Sequence, residues 1–481
     1  MKMKLCKETY ADYKKYPEKV LQFGEGNFLR AFVDWQIDRM NKTAGFNGSV
    51  VVVQPIEKGL INALNAQDGL FTLVLQGFKD GKPAREYSVI NSISRGVNPY
   101  RDYDEYLKLA KIPELRFIIS NTTEAGIVFD ESDKFDDRPP KSFPAKLTVF
   151  LYERFKAFGG DESKGFIIIP CELIDRNGEE LKKAVLKYAK LWNLGGDFTN
   201  WLNNGNTFCC SLVDRIVTGY PKDAEKILDE LGYEDKLLDT AEFFHLWVIE
   251  APDFVKHEFP AEQAGLNVKF VNDMTPYRER KVKILNGAHT ALTPVALQCG
   301  LNTVRDALND NLLKDFIKGL IYEEIIPSLT LPESELKEFA ENVLERFANP
   351  FIEHSLSSIA LNSVSKFKTR NLPSLIDFAN SNGFLPKRLV FSLASLITFY
   401  GDEKMPLNDD TAVLEFFKRL WSGFNGENFG IIAKNALGQK DFWGMDLNEI
   451  SNLTETTAKY IEKIKKSGIK EALKEILGDA K

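Results

Sequence analysis

The chain has 481 residues, 44% hydrophobic and 27% charged, a globular balance with apolar surface enough for large cores, spread over about three domains or two large ones. Its net charge of −7, from 62 basic and 69 acidic residues, comes with no basic stretch of the kind that tracks a phosphate backbone, which excludes nucleic acid as an expected partner. The longest apolar runs, such as residues 49–53 and 166–170, have the length of a strand and are far too short to span a bilayer.

The N-terminal stretch Met1-Lys2-Met3-Lys4-Leu5-Cys6-Lys7 continues into charged residues rather than an apolar core, so it does not read as a signal peptide. Residues 20–23 read as a strand and 29–40 as a helix, followed by a valine-rich strand over 49–54. Residues 71–76 and 87–93 alternate more and flank Lys79-Asp80-Gly81-Lys82, which suggests an inserted hairpin turning at Asp-Gly. Residues 115–120 and 165–170 are further apolar strands, and 207–213, 246–249 and Val268–Val271 are candidates. Continuous β-branched runs separated by helical patterns predict a parallel, doubly wound sheet covered on both faces. From about Tyr277 the apolar spacing becomes helical, over 281–298, 312–326, Glu333–Phe347, 386–400, 412–421 and 454–477. The expected organisation is therefore a Rossmann-type α/β domain over 1–275 and a mainly helical domain over 276–481.

Val20-Leu21-Gln22-Phe23-Gly24-Glu25-Gly26-Asn27-Phe28-Leu29-Arg30 sets two glycines between a strand and a helix. One glycine suits the tight turn and the other lets the backbone approach a pyrophosphate lying on the helix N-terminus. Leu29 stands where the third glycine of the usual fingerprint would be, and a plain glycine turn fits the same residues. Arg30 is a candidate phosphate ligand, with a solvated or sheet-packed arginine as the alternative. The second strand runs into Gln54-Pro55-Ile56-Glu57. Neither Gln54 nor Glu57 offers a cation to a 2′-phosphate, which favours NAD over NADP, and Lys58 follows them.

Arg280-Lys281-Val282-Lys283-Ile284-Leu285-Asn286-Gly287-Ala288-His289-Thr290 carries a lysine, an amide and an imidazole on one helix. At about 100° per residue, Lys281, His289 and Asn286 fall at about 0°, 80° and 140° around the axis. Hydride exchange at a secondary alcohol needs a base for the hydroxyl proton. A lysine serves if burial lowers its pKa, and amide and imidazole donors steady the developing alkoxide. Taken alone, the same three residues also fit a helix start, a cap and a core histidine. Gly287 inside the helix implies close packing against it.

Lys281-x4-Asn286-x2-His289 and Gly24-x-Gly26-x-Phe28-x-Arg30 resemble the lysine signature and cofactor loop of the mannitol dehydrogenase family, the polyol-specific long-chain dehydrogenases. Residues 121–127, 170–175 and 212–221 extend the resemblance, in the same order, over most of the chain. It implies a Rossmann-type domain, a helical domain, an active site between them, NAD and no metal, in line with five cysteines that show no zinc-ligand spacing. By the resemblance, Lys281 is the catalytic acid/base, Asn286, His289 and Asn177 attend the reacting oxygen, and Asp214 binds substrate. Phe23, Gly24, Glu25, Gly26, Asn27, Phe28, Arg30, Thr123 and Glu124 line the cofactor.

Mannitol-type members carry Cys-Asp-Asn where this chain has Cys171-Glu172-Leu173, which favours the uronate branch over a simple polyol. The implied reaction is the reversible NAD-dependent reduction of D-tagaturonate to D-altronate, with fructuronate reduction or mannitol oxidation as enzyme alternatives. A nucleotide-sensing binding protein is the non-enzyme alternative, disfavoured because a sensor needs no proton acceptor. A small hexuronate substrate requires a cation, for which Arg370, His354, Lys366 and Lys368 are candidates, Arg370 first because a guanidinium grips a carboxylate through two bonds. A reducing cytoplasm is the expected location, with no membrane association.

Overall fold

The computed structural model describes residues 2–79, 81–123, 125–424 and 426–478, and the chain forms two compact units, Met1–Met274 and Thr275–Lys481. In the first unit, β1 (Glu18–Phe23), β2 (Ser49–Val53), β3 (Ile93–Val97), β4 (Phe117–Ser120), β5 (Ile167–Pro170) and β6 (Thr207–Phe208) form one sheet. Their order is β3-β2-β1-β4-β5-β6 and every pairing is parallel. This is the dinucleotide-binding order, whose connections reverse direction between β1 and β4 and open a crevice at the carboxyl ends of those strands. Because successive side chains face opposite ways, Val20, Val50, Val52 and Ile119 enter one core while Leu21, Val51, Val53 and Ile118 enter another. Helices on both faces bury β2 completely, which is why its valines run without alternation.

Three strands depart from the expected boundaries. The hairpin forms, with Phe71–Lys79 antiparallel to Lys82–Ile90 and Gly81 at φ +72°, whereas Asp80 lies outside the described residues. It builds a separate sheet with Asp239–Ala241 and Val217–Gly219. Its second strand ends at Ile90, and Ile93–Val97 is a distinct strand on the edge of the parallel sheet. Ser94-Arg95-Gly96 hides that strand in the apolar pattern, yet its polar groups are satisfied. Arg95 pairs with Glu18 at 2.8 Å and Glu105 at 2.7 Å, and the Gly96 amide donates to Asn65 at 2.7 Å. The expected strand over 207–213 divides at Cys209: Thr207–Phe208 completes the parallel sheet, and Cys210–Asp214 pairs with Leu246–Glu250 in a third sheet.

The second unit is helical in its described residues. Lys387–Phe399 is buried along nearly its whole length, and Gly287–Gln298 packs on it, with Ser392 Oγ donating to the Ala291 carbonyl at 3.0 Å and Gln298 Nε2 to that of Ser395 at 2.9 Å. The single helix expected over 454–477 breaks into Leu453–Ser467 and Ile469–Gly478, because Gly468 adopts φ +83°. No helix among the described residues is long and apolar enough to cross a membrane.

Behind β1 lies a buried polar knot. Gln22 Nε2 donates to the Gly24 carbonyl at 3.0 Å and to Asp34 Oδ2 at 3.1 Å. Asp34 is wholly enclosed, and burial pushes its carboxyl up from 3.8 to about 7, against the pull of the Gln22 hydrogen bond and the Arg30 charge. A carboxyl raised in the fold contributes stability that is complete below the unfolded value and is lost as pH rises through the folded one. Asp34→Asn keeps an acceptor for Gln22 without the charge. Thermal melts should therefore show the variant close to wild type below about pH 4, increasingly ahead of it up to about pH 7, and ahead by a constant margin above that. A stability difference that does not change with pH would show that Asp34 does not titrate in this window.

Candidate functional site

The glycine loop is set by β1 and β2 together. Leaving β1, the Gly24 amide donates to the Val53 carbonyl at the end of β2, 3.1 Å away. Gly24 holds φ +122°, and an added Cβ would lie 2.9 Å from Leu29 Cδ1 and 3.0 Å from the Asn121 carbonyl oxygen, so only glycine fits. Gly26 is the opposite case, since a Cβ there would meet nothing within 4 Å. It opens a helical run that begins at Asn27–Leu29, passes through a π turn at Arg30–Asp34 and continues as Trp35–Thr43. An open backbone face at a helix start, at the switch point of the sheet, fits a pyrophosphate.

The neighbours of the two glycines divide between loop and framework. Phe23 points into the core against Phe143 and Tyr106, with ring centroids 4.9 and 6.2 Å away, so its side chain is not a cofactor contact. Arg30 is 2% exposed and committed elsewhere: it donates to the Leu237 carbonyl, to Asn27 Oδ1 at 2.7 Å, and pairs with Asp239 at 3.4 Å. That corrects the expectation of a phosphate ligand in favour of the sheet-packed alternative. Phe28 stacks on Phe32 at 5.1 Å. Thr123 is exposed at φ +79° in the loop after β4, and Glu124 lies outside the described residues.

The Glu172 carboxylate ties the end of β5 to that same loop. It accepts from Ser120 Oγ, the Thr122 amide and Thr122 Oγ1, each at 3.0 Å. Burial pushes its carboxyl up while these hydrogen bonds hold it down. The adjacent Leu173 is 62% exposed. Asn177 is fully buried, and its amide nitrogen faces the carbonyls of Pro170, Glu172 and Ser211 at 2.9–3.0 Å. Its Oδ1 accepts from the Gly178 and Ser211 amides, both at 2.9 Å. An amide with two hydrogens and that many backbone partners has no donor left for a substrate oxygen. The oxyanion role expected of Asn177 is therefore corrected to a framework role, joining β5 to Cys210–Asp214. Asp214 ends that strand, 5% exposed.

In the second unit the lysine segment is one helical run of three parts: Thr275–Arg280, a π stretch Lys281–Asn286, and Gly287–Gln298. The Gly287 amide donates to the Val282 carbonyl, five residues back. A π turn closes on the fifth residue, so Lys281 and Asn286 lie one turn apart on the same side rather than at the wide angle of an ideal α-helix. Both are half-buried.

His289, 9% exposed, stacks on Phe347 at 4.1 Å and 23° and meets His354 edge-on at 4.7 Å and 75°. Its Nε2 is buried without a hydrogen-bond partner among the described residues. Burial, then the charges of His354, Arg346 and Arg370, hold its pKa well below 6.5, so it is a neutral imidazole near pH 7, with one ring nitrogen to donate and one to accept. Arg370 Nη1 donates to Thr290 Oγ1 at 3.3 Å, and burial pulls its guanidinium below the usual value. Arg346, 8% exposed beside Phe347, is a charged neighbour that the sequence did not reveal, since one arginine on an amphipathic helix reads as a solvated face. Burial and the Arg346 charge also lower the pKa of His354. Lys366 donates to the Ile359 carbonyl at 2.9 Å and feels the Arg370 charge, and Lys368 lies beside Gly444.

Residues 18–263 match the mannitol dehydrogenase Rossmann domain and residues 273–465 the mannitol dehydrogenase C-terminal domain. The chain is 54% identical to altronate oxidoreductase of Bacillus subtilis (strain 168) over 473 residues, covering 98% of each protein. It is 50% identical to altronate oxidoreductase of Escherichia coli O7:K1 over 468 residues, covering 96% of this chain and 97% of that one. Among solved structures, Pseudomonas fluorescens mannitol 2-dehydrogenase, in a ternary complex with NAD and D-mannitol, is similar at a TM-score of 0.69 and 24% identity, over 99% of this chain and all of that one. A substrate-free D-sorbitol dehydrogenase is similar at 0.79 and 22%, over 96% of each chain. These two likenesses describe the shared fold.

Gly287 makes a test of the packing around the lysine helix. Its carbonyl accepts from Asn371 Nδ2 at 3.0 Å, so the helix does run close to its neighbour. An added Cβ, however, would sit 3.4 Å from the Arg370 carbonyl oxygen and 3.5 Å from Asn371 Nδ2, which is ordinary contact. Gly287→Ala should fold, with stability unchanged or raised by up to about 1 kcal/mol through helix propensity, as read from denaturant midpoints. A loss of more than about 2 kcal/mol would mean that the π turn itself needs glycine.

Proposed function

The chain belongs to the mannitol dehydrogenase family, and from that premise we propose that it is an NAD-dependent oxidoreductase interconverting D-tagaturonate and D-altronate. The observation that carries this reading is the 54% identity to a protein named altronate oxidoreductase over 98% of both chains. The open Gly26 face at the switch point fits the dinucleotide, with Gly24, Glu25, Gly26, Asn27 and Thr123 as its loop contacts. Gln54 turns its amide nitrogen onto the Ile56 and Glu57 carbonyls, 2.9 Å from each, and offers no cation to a 2′-phosphate, which supports NAD over NADP. We place the protein in the cytoplasm, where NADH is at hand and thiols stay reduced.

When bound, the nicotinamide supplies a hydride to the keto carbon in reduction and receives it in oxidation. Lys281 donates the proton that the carbonyl oxygen takes up as it becomes a hydroxyl, and in the reverse direction the free amine removes that proton. Asn286, brought to the same side of the helix by the π turn, donates its amide N–H to the same oxygen. Neutral His289 adds a second donor without placing a fixed charge beside the lysine. Asp214 accepts from substrate hydroxyls. Arg370 holds the carboxylate that separates a uronate from a simple polyol, with His354 beside it.

Two substitutions test these roles. Lys281→Ala should leave NADH affinity nearly intact and lower turnover by a factor of about 10² to 10⁴, followed by NADH absorbance with tagaturonate, and retention of more than about a tenth of the turnover would remove Lys281 as the acid/base. Arg370→Ala should raise the Michaelis constant for the uronate by roughly one to two orders of magnitude, the worth of a charge-assisted hydrogen bond, while leaving mannitol and fructose, which lack the acid group, as they were. Unchanged uronate constants would place the carboxylate elsewhere, and an enzyme that prefers mannitol or fructuronate would defeat the substrate assignment.

A further inference from the structure

Dinucleotide-binding folds of this strand order hold the adenosine ribose on an acidic side chain at the end of β2. In this chain β2 ends in Val53 and runs into Gln54, an amide folded back on its own loop. A carboxylate nevertheless reaches that place, from a different part of the chain. The hydrogen bond from the Gly24 amide to the Val53 carbonyl seats the glycine loop against the end of β2, and the next residue, Glu25, turns its side chain across it. Glu25 Oε1 accepts from the Leu60 amide at 3.2 Å. A Cβ added to Gly59 would lie 1.9 Å from Glu25 Oε1 and 2.7 Å from Gln54 Cδ, so the carboxylate of Glu25, 7% exposed, packs directly on the bare backbone of Gly59 beside the Gln54 amide. Two apolar side chains beside it, Ile56 and Leu60, are 62% and 41% exposed, a surface on which a flat base can rest.

We propose that Glu25, supplied by the glycine loop, is the acid that binds the adenosine ribose hydroxyls and excludes a 2′-phosphate. The proposal rests on the dinucleotide reading above and names the residue that sets its selectivity. Burial pushes the Glu25 carboxyl up while hydrogen bonds from the Leu60 and Glu25 amides hold it down; its ionised form offers about four acceptor positions, of which these amides take two. A vicinal diol can donate to those that remain, whereas a 2′-phosphate would bring like charge against the carboxylate. Gly59 belongs to the same device, because any side chain there would displace the carboxylate.

The test is binding of ADP-ribose and 2′-phospho-ADP-ribose by calorimetry, which needs neither substrate nor turnover. Wild type should bind ADP-ribose more tightly. Glu25→Gln, which keeps the shape and the acceptor for Leu60, should narrow the preference at least about tenfold by weakening ADP-ribose and sparing or improving the phosphorylated ligand. Gly59→Ala should narrow it in the same sense, with melting curves confirming that both variants fold. If both ligands weaken by one factor, or neither changes, or the preference widens, Glu25 is not the discriminating acid. A wild-type protein that binds neither ligand would overturn the dinucleotide reading itself.

Discussion

The first unit depends on one backbone hydrogen bond, from the Gly24 amide to the Val53 carbonyl. It joins the ends of adjacent parallel strands just where the chain turns out of the sheet, with residue 24 at φ +122°. The rest of the loop follows from it. Gly26 is left facing open space, the helix starts at Asn27, and Glu25 is directed onto Leu60. Gln22 supports the turn from behind by holding the Gly24 carbonyl, and is itself held by Asp34. A buried acid is an expensive support. Because Asp34 titrates near neutrality, it can hold Gln22 at acidic pH without a full buried charge.

The helical unit solves a different electrostatic problem. Under the role proposed for Lys281 a hydroxyl proton passes to its amine, and each nearby cation makes the neutral amine easier to maintain. His289 shows the outcome: enclosed by Phe347 and His354 and facing the charges of Arg346 and Arg370, it remains an uncharged imidazole. It can then act as a hydrogen-bond donor whose state does not change across the working pH range. The arginines are free of that compromise, because a guanidinium stays protonated even where burial lowers its pKa.

The parts of this architecture that were legible in the sequence are those written in local pattern. The valines of β2, the isoleucines of β4 and β5 and the glycine loop declare a covered parallel sheet, and the shift to helical spacing near residue 275 declares the second unit. What stayed hidden was written in partners distant along the chain. Strand β3 carries serine, arginine and glycine, because Glu18, Glu105 and Asn65 satisfy an edge that no apolar pattern marks. Cys209 looks like the middle of a strand, yet Asn177 draws the Ser211 backbone into another sheet. Arg30 read as a phosphate ligand at a helix start and is sealed against Asp239. A motif gives residue types in order, but which of them face a ligand is decided by burial.

The π stretch at Lys281–Asn286 shows why helical periodicity alone misplaces a site. A wheel at the α-helical angle sets Lys281 and Asn286 about 140° apart. One extra residue in the turn, marked by the Gly287 amide reaching back to Val282, brings the amine and the amide to one side. A π turn is less stable than the α-helix it replaces, so it persists only where its surroundings hold it. Here Asn371 grips the Gly287 carbonyl where the π turn ends, and Lys283 pairs with Asp377 at 3.0 Å within it. The same device recurs at Arg30–Asp34, one turn after the glycine loop, where it places Arg30 on Asp239 and Asp34 on Gln22. At Lys281–Asn286 the irregular turn sets side chains five residues apart on one side, and a regular helix of the same sequence would lose that alignment.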